Sequence, residues 1–210
     1  MNWNSHQIVK YAGEGDLIGA YGGHPRGIRG TVWPRCAVCG APMCHMMQID
    51  AGPVVDLGGY ERMTVFICHA TGGRCEDWDA YKGANTVILQ AEKDDSLYDG
   101  PPTVRVYRRT LLTTAPPVDE LALMRRVKGG ELSMTDALAS LKHDKIGGGA
   151  VWLQGEDTPP SRAGEGNMRL AVQFTTNIVS FDITPGGMGY VFLDPADPSP
   201  DGAYVLWQSG

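Results

Sequence analysis

The sequence predicts an α+β fold dominated by strands: two pseudo-repeated antiparallel β units joined by a short helical connector, with a zinc knuckle in the first. Three observations carry that expectation. Gly 28 and Pro 14 in 210 residues punctuate the chain too often for long helices and favour short strands and turns. All 5 cysteines fall within residues 33–75, in WPRCAVCGAPMCHMMQID and MTVFICHATGGRC, and four of them form two spaced pairs. A cysteine-free text with the same order of marker residues returns in the last third, where Met168 and Gln173 repeat the Met43-x4-Gln48 spacing.

A hydrophobic share of 42% over 210 residues is ordinary for a globular chain and supports one substantial core or two small ones in a single compact unit, residues 1–210. The formal net charge of −6 argues against general nucleic-acid binding and against attachment to anionic lipid, since both need a basic patch. Residues 105–109 are the locally basic exception. No apolar run approaches the ~20 residues of a membrane span, and MNWNSHQIVK lacks the basic-then-apolar order of a signal peptide. A cytoplasmic protein is expected, and there a CxxC spacing points to metal more than to disulfide.

Residues 1–32 are polar and glycine-dense, and read as an irregular lead-in with one short strand at Leu17-Ile18-Gly19. CHMMQID reads as a strand with Met46, Gln48 and Asp50 on one face and His45, Met47 and Ile49 on the other. RMTVFICH and NTVILQ are β-branched and apolar enough for central strands. After the acidic link AEKDDSLYDGP, residues 103–112 read as a further strand. Pro117 then suits a first helical turn in VDELALMRRV, with Asp119 and Glu120 at the positive end and Arg125, Arg126 and Lys128 at the negative end. Gly129-Gly130 stops that helix. Ser133 caps a second one, with Asp136 in the capping-box position. From Lys145 onward KIGGGAVWLQ, MRLAVQFT, NIVSFDI, MGYVFLD and AYVLWQ read as strands between Gly, Pro and Asp clusters.

The marker order places one repeat at about 17–90, the connector at about 116–143 and the second repeat at about 145–210. Gly22-Gly23, Trp33, Met43, Gln48, Phe66 and Gln90 in the first correspond to Gly147-Gly148, Trp152, Met168, Gln173, Phe192 and Gln208 in the second. A glutamine recurring on equivalent strands must be hydrogen-bonded if it is buried, so Gln48 and Gln173 are expected to clamp backbone where the halves meet.

Cys36 and Cys39 sit in a turn rich in Pro34, Gly40 and Pro42, and Cys68 and Cys75 flank a loop containing Gly72-Gly73. Tetrahedral Zn(II) takes four thiolates supplied as two pairs from tight turns. One structural zinc per chain, held by Cys36, Cys39, Cys68 and Cys75, is therefore expected; reduced structural thiols and redox use are the alternatives. His45, His69 and Cys44 are the candidate replacements as ligands, although Cys68 and His69, being adjacent on a strand, face opposite sides. Glu76 and Asp77 read as a solvated acidic loop, and His143-Asp144-Lys145 as a polar helix exit. The glycines of KIGGG make neither a P-loop nor a dinucleotide turn, and no GxSxG, HExxH or EF-hand loop occurs.

The runs WPRCAVCGAPM with the following Gln48, VFICH, CEDWDAYKGAN, KIGGGAVWLQ, MRLAVQF, GYVF and LWQS together resemble the YwqG-like family, a bacterial group of unknown function, over nearly the whole chain. That resemblance implies a β-dominated, internally repeated fold and, in cysteine-bearing members, a bound zinc. The CxxCG…Q pattern is more distantly similar to programmed-cell-death-2-like proteins, which are chaperones of a ribosomal protein. Their further cysteine pairs are missing here. Neither resemblance implies a reaction.

The expected function is a binding module for a protein or peptide, docked in a groove between the β units among aromatic and methionine side chains such as Trp33, Trp78, Trp152, Trp207, Met43, Met46 and Met47. The rival is a zinc-dependent hydrolase or other enzyme using the metal or His143. No nucleophile, base and orienting group stand out as a set.

Overall fold

The computed structural model describes residues 4–28, 33–70, 74–98, 100–101, 103–162, 166–175, 186–197, 199 and 202–209. Ten strands and two helices follow in the order β1 (Asn4–Lys10), β2 (Gly19–Tyr21), β3 (Cys44–Asp50), β4 (Arg62–Ile67), β5 (Asn85–Gln90), β6 (Thr110–Asp119), α1 (Glu120–Lys128), α2 (Met134–Leu141), β7 (Lys145–Gly147), β8 (Arg169–Thr175), β9 (Met188–Leu193) and β10 (Ala203–Gln208). The strands form one antiparallel sheet in the order β10-β9-β8-β7-β1-β6-β2-β3-β4-β5. Its two ends, β5 and β10, pack on each other, and the Trp207 N–H reaches the Trp78 carbonyl at 3.2 Å, so the sheet is nearly closed. No described helix is long and apolar enough to cross a membrane.

Every strand sends a side chain into one interior cluster: Ile8, Tyr21, Met47, Val65, Val87, Leu112, Ile146, Val172, Val191 and Val205. Two smaller clusters cover the outer face. One gathers Phe66, Met43, Ile28, Cys36, Cys68 and Cys75 around β4; the other gathers Leu170, Met188, Tyr190 and Phe192 on β8 and β9 with Val151 and Leu141. Both faces of β4 and β9 are thus covered, which is why RMTVFI and MGYVFL are buried from end to end instead of alternating.

The helices form where capping and charge favour them. Asp119 caps α1 by accepting the Ala122 N–H at 2.9 Å, and Ser133 caps α2 by accepting the Asp136 N–H at 3.0 Å. Arg125, Arg126 and Lys128 sit in the last turn of α1, beside its carbonyl end.

Four sequence expectations differ from the structure. The lead-in of residues 1–32 contains β1, which lies between β7 and β6 and links the two halves of the sheet; its buried positions, Ser5 and Ile8, are three apart and hide the alternation of a strand. The strand expected at 103–112 begins at Thr110 and runs on to Asp119, so Pro117 belongs to β6 and not to a helical turn. The Pro116-Pro117 pair is tolerated because β2 pairs β6 only at 110–112 and the β1–β6 ladder is irregular between His6 and Ile8. On β3 a bulge between His45 and Met47 shifts the register, so His45 shares a cavity with Gln48 and Asp50 while Met46 joins Met47 in the interior. Of KIGGGAVWLQ only the first three residues are strand. The expected strand NIVSFDI and the Gly72-Gly73 loop lie outside the described residues.

Candidate metal centre and its surroundings

The first cysteine pair sits in a tight turn closed by backbone. The Cys36 N–H donates to Ala41 O and the Gly40 N–H to Cys36 O, each at 2.9 Å, and Arg35 and Pro42 form a bridge. Gly40 holds φ +72° there, which favours glycine. Trp33 anchors the turn: its indole N–H donates to Met43 O at 3.0 Å and its ring meets Phe66 edge-on at 5.2 Å. Cys68 follows the last residue of β4, and its N–H is fixed to Ala84 O at 2.8 Å. Cys75 opens a loop that Asn85 fastens by donating to Asp77 O at 2.8 Å and Asp79 O at 3.1 Å.

The Sγ atoms of Cys36, Cys39, Cys68 and Cys75 all lie within 4.8 Å of one another, with Cys39 and Cys68 at 3.6 Å. That separation is far beyond a disulfide, about 2.05 Å. Four sulfurs at about 2.3 Å from one tetrahedral ion would stand about 3.8 Å apart, so the donor set fits a metal with thiolate ligands. Cys39 is exposed and the other three are buried. A hydrogen bond from the Ala41 backbone draws the Cys39 thiol below its ordinary pKa, whereas burial pushes Cys68 up.

The other candidate ligands lie elsewhere. His69 pairs through Nδ1 with the Tyr107 hydroxyl. Cys44 is buried in the interior cluster, on the other side of the sheet from the four, with its thiol raised by burial. His45 donates its Nδ1–H to Gly23 O at 3.0 Å, and burial lowers its pKa to about 4. Asp77 is not a solvated residue: it is buried, and burial raises its carboxyl to about 6. Glu76 is exposed and pairs with Lys82 at 3.2 Å.

Nor is His143-Asp144-Lys145 a polar helix exit. Lys145 is fully buried, with Nζ donating to Glu120 Oε1 and to Gly149 O, both at 2.6 Å. Asp144 accepts from Tyr21 at 3.0 Å and from the Thr175 N–H at 2.8 Å. Sequence reasoning missed this network because its members are scattered over more than a hundred positions, and lone polar residues carry no spacing signal.

Met43, Met46, Met47 and Trp207 are buried core residues, whereas Trp78 is exposed. An open cleft of about 720 Å³ lies elsewhere. Asn4 and His6 of β1, Pro53, Val54 and Asp56 after β3, residues 146–150, Trp152, residues 167–171 and Phe192 line it. Arg169 crosses to Asp56, with Nη2 at 3.3 Å from Oδ1 and 2.8 Å from the backbone oxygen. The β7–β8 ladder is confined to Lys145↔Gln173 and Ile146↔Val172, so residues 169–171 run past the end of β7 along the cleft wall.

No protein-family model and no curated protein matches the chain.

Proposed function

We propose that the chain is a single compact domain that binds an extended peptide or protein segment, and that its four clustered cysteines hold one structural zinc ion. The cleft carries the binding reading. Its walls come from both halves of the chain, it offers the half-buried Trp152 and Val54 as apolar surface over the buried Leu170 and Phe192, beside His6, Asp56, Glu156 and Arg169, and it is flanked by a stretch of β8 beyond the β7 ladder. Such a strand can take an extended segment by main-chain pairing, with pockets reading alternate side chains.

Four thiolates within reach of one ion complete a tetrahedral shell, whereas a catalytic zinc keeps a position open for water. The donor set therefore supports a structural role over a zinc-dependent hydrolase.

The register supports a duplicated architecture, with units at about 17–90 and 145–210 joined by the 116–143 segment. Gln48 stands opposite Ala20 and Thr64, and Gln173 opposite Lys145 and Tyr190. Each glutamine follows a one-residue bulge, Met46 in β3 and Ala171 in β8. Each accepts the N–H of the residue four beyond a matching glycine, Arg26 after Gly22 and Val151 after Gly147. The β1–β6 ladder contains both Ile8↔Thr114 and Lys10↔Leu112, as expected for a pseudo-twofold passing between those strands.

The binding reading is tested by selecting peptides from a random library against the zinc-loaded chain and mapping the best binder by NMR. Shifts confined to His6, Trp152, Leu170 and their neighbours support it. Shifts that avoid the cleft, or turnover of a broad ester and peptide panel that disappears with the metal, overturn it.

A further inference from the structure

A second, smaller cavity of about 100 Å³ opens on the outer face of the first half, lined by His24, Arg26, His45, Gln48, Asp50, Arg62 and Arg109 with the backbone of Gly19 and Gly22. One water needs only about 10–15 Å³ of such space, so a small ion fits. Two side-chain atoms here are buried without a hydrogen-bond partner among the described residues: Nε2 of His45, a residue only 4% exposed, and Nε of Arg26. Because His45 Nδ1 faces the Gly23 carbonyl, it must carry the proton. Nε2 therefore presents a lone pair, and Arg26 Nε presents an N–H.

The fold does not require polar groups at these places. The register counterparts in the second half are Leu170 for His45, opposite Phe192 as His45 is opposite Phe66, and Met188 for Arg62, opposite Thr175 as Arg62 is opposite Asp50. Val151 stands for Arg26, each giving its N–H to a glutamine Oε1. Leu170, Met188 and Val151 pack as an apolar cluster. Burying a polar atom unpaired is costly, so the same geometry filled with orphaned polar atoms points to a ligand.

The charge narrows its class. Arg62 is spent on Asp50 and Asp95, the latter at 2.8 Å, and Arg26 reaches the same Asp95 through Nη1 at 3.4 Å while its Nε stays unpartnered; Arg109 has no ion pair among the described residues and lies over Gly23. The lining sets Arg26, Arg62 and Arg109 against the single carboxylate of Asp50, a cationic balance within a chain of net charge −6. A ligand must accept from Arg26 and Arg109 and donate to His45.

We infer that this cavity binds a small hydroxyl-bearing oxyanion, hydrogen phosphate being the fitting probe, whose anionic oxygens accept from Arg26 and Arg109 while its own hydroxyl donates to His45 Nε2. Sulfate has the same shape and charge class but carries no proton at neutral pH. It can satisfy the arginines but not the histidine.

Calorimetric titration of the zinc-loaded full chain near pH 7.5 with inorganic phosphate, sulfate and phenyl phosphate at matched ionic strength tests this. Expected is one phosphate site, at least tenfold tighter than sulfate and than phenyl phosphate, whose ring exceeds the cavity and whose phosphate is largely deprotonated. Arg26→Gln and His45→Leu should each weaken phosphate at least tenfold. Should the buried His45→Leu change fail to fold, the exposed Arg109→Gln, expected to weaken phosphate at least threefold, gives the reading. Absence of phosphate binding, as for a cavity holding water only, overturns the inference. So do sulfate or phenyl phosphate binding as tightly as phosphate, and phosphate binding that survives the substitutions.

Discussion

The Tyr21 hydroxyl donates to Asp144 Oδ2 at 3.0 Å across 123 positions of chain, and through this one residue three strands are fastened. Its Oδ1 accepts the Thr175 N–H of β8, and the Asp144 carbonyl accepts the Ile8 N–H of β1 at 2.7 Å. Tyr21 comes from β2 of the first half, so a buried hydrogen bond locks the two halves beside the β1–β6 ladder that joins them.

That carboxyl should leave a mark on stability against pH. Burial raises Asp144 from 3.8 to about 6, so between about pH 4 and 6 the folded chain keeps a proton that the unfolded chain has released. Stability from this group is therefore greatest below pH 4, falls as pH rises through the window, and is level above it; two units amount to about 3 kcal/mol. Asp77, also raised to about 6 by burial, adds the same sign, and His45, lowered to about 4, opposes it. Asp144→Asn should show a flatter loss from pH 4 to 6.5 than the parent and equal or greater stability at pH 7. Denaturant melts of both proteins across that range supply the comparison, and parallel curves would remove Asp144 from the account.

One zinc per chain is expected by elemental analysis. Cys36→Ser combined with Cys39→Ser should lose it, and Cys44→Ala should keep it, because Cys44 lies across the sheet in the interior cluster. Chelation should cost several kcal/mol of stability, since a structural site folds with its metal. Full zinc content in the double variant would refute the assignment.

The cysteine cluster was legible because spacing within two turns is local information, and NTVILQ was legible to the residue because its apolar pattern is unbroken. The single sheet was not. Where β1 inserts depends on pairing with β6 over a hundred residues away, and its sequence, NSHQIVK, buries one serine and one isoleucine. The face of His45 is hidden from the sequence for a similar reason: a period of two cannot reveal a bulge, and one extra residue at Met46 inverts everything N-terminal to it. Pro117 reads as a helix start because the tolerance of β6 for a proline pair rests on β2 ending early, which is a tertiary fact.

Lys145 and Glu120 form a buried pair at 2.6 Å whose partners are 0% and 5% exposed, and Glu120 Oε2 also accepts the Gly149 N–H at 2.8 Å. Removing one partner strands the other charge without water. Glu120→Gln or Lys145→Met alone should cost about 3–5 kcal/mol, and the double change distinctly less than their sum. Urea denaturation of the three variants completes the cycle; additive losses would mean the two groups act independently.

Gln48 and Gln173 occupy the same register, yet their environments differ, and that difference predicts an unequal cost of replacement. Gln173 is fully buried. It accepts from the Val151 N–H at 2.8 Å and donates to Leu141 O at 3.0 Å and His143 O at 2.9 Å, tying the end of α2 and the β7 loop to β8. Gln173→Leu leaves three backbone groups without partners, most of them beyond reach of water, at about 1–3 kcal/mol each. Gln48 instead clamps one residue, Arg26, through its N–H at 3.0 Å and its carbonyl at 2.8 Å, with a further bond to Thr64 at 2.8 Å. Arg26 is only half-buried, and Thr64 keeps a second partner in Gln90 at 3.0 Å, so solvent and Gln90 can absorb much of the loss. Gln173→Leu should therefore destabilise by about 3–5 kcal/mol and Gln48→Leu by about 1–3. Amide exchange should report the same asymmetry, with protection collapsing at Val151 in the first variant and falling only modestly at Arg26 in the second. A Gln48→Leu cost equal to or above that of Gln173→Leu would show that burial of the clamped backbone does not set the penalty.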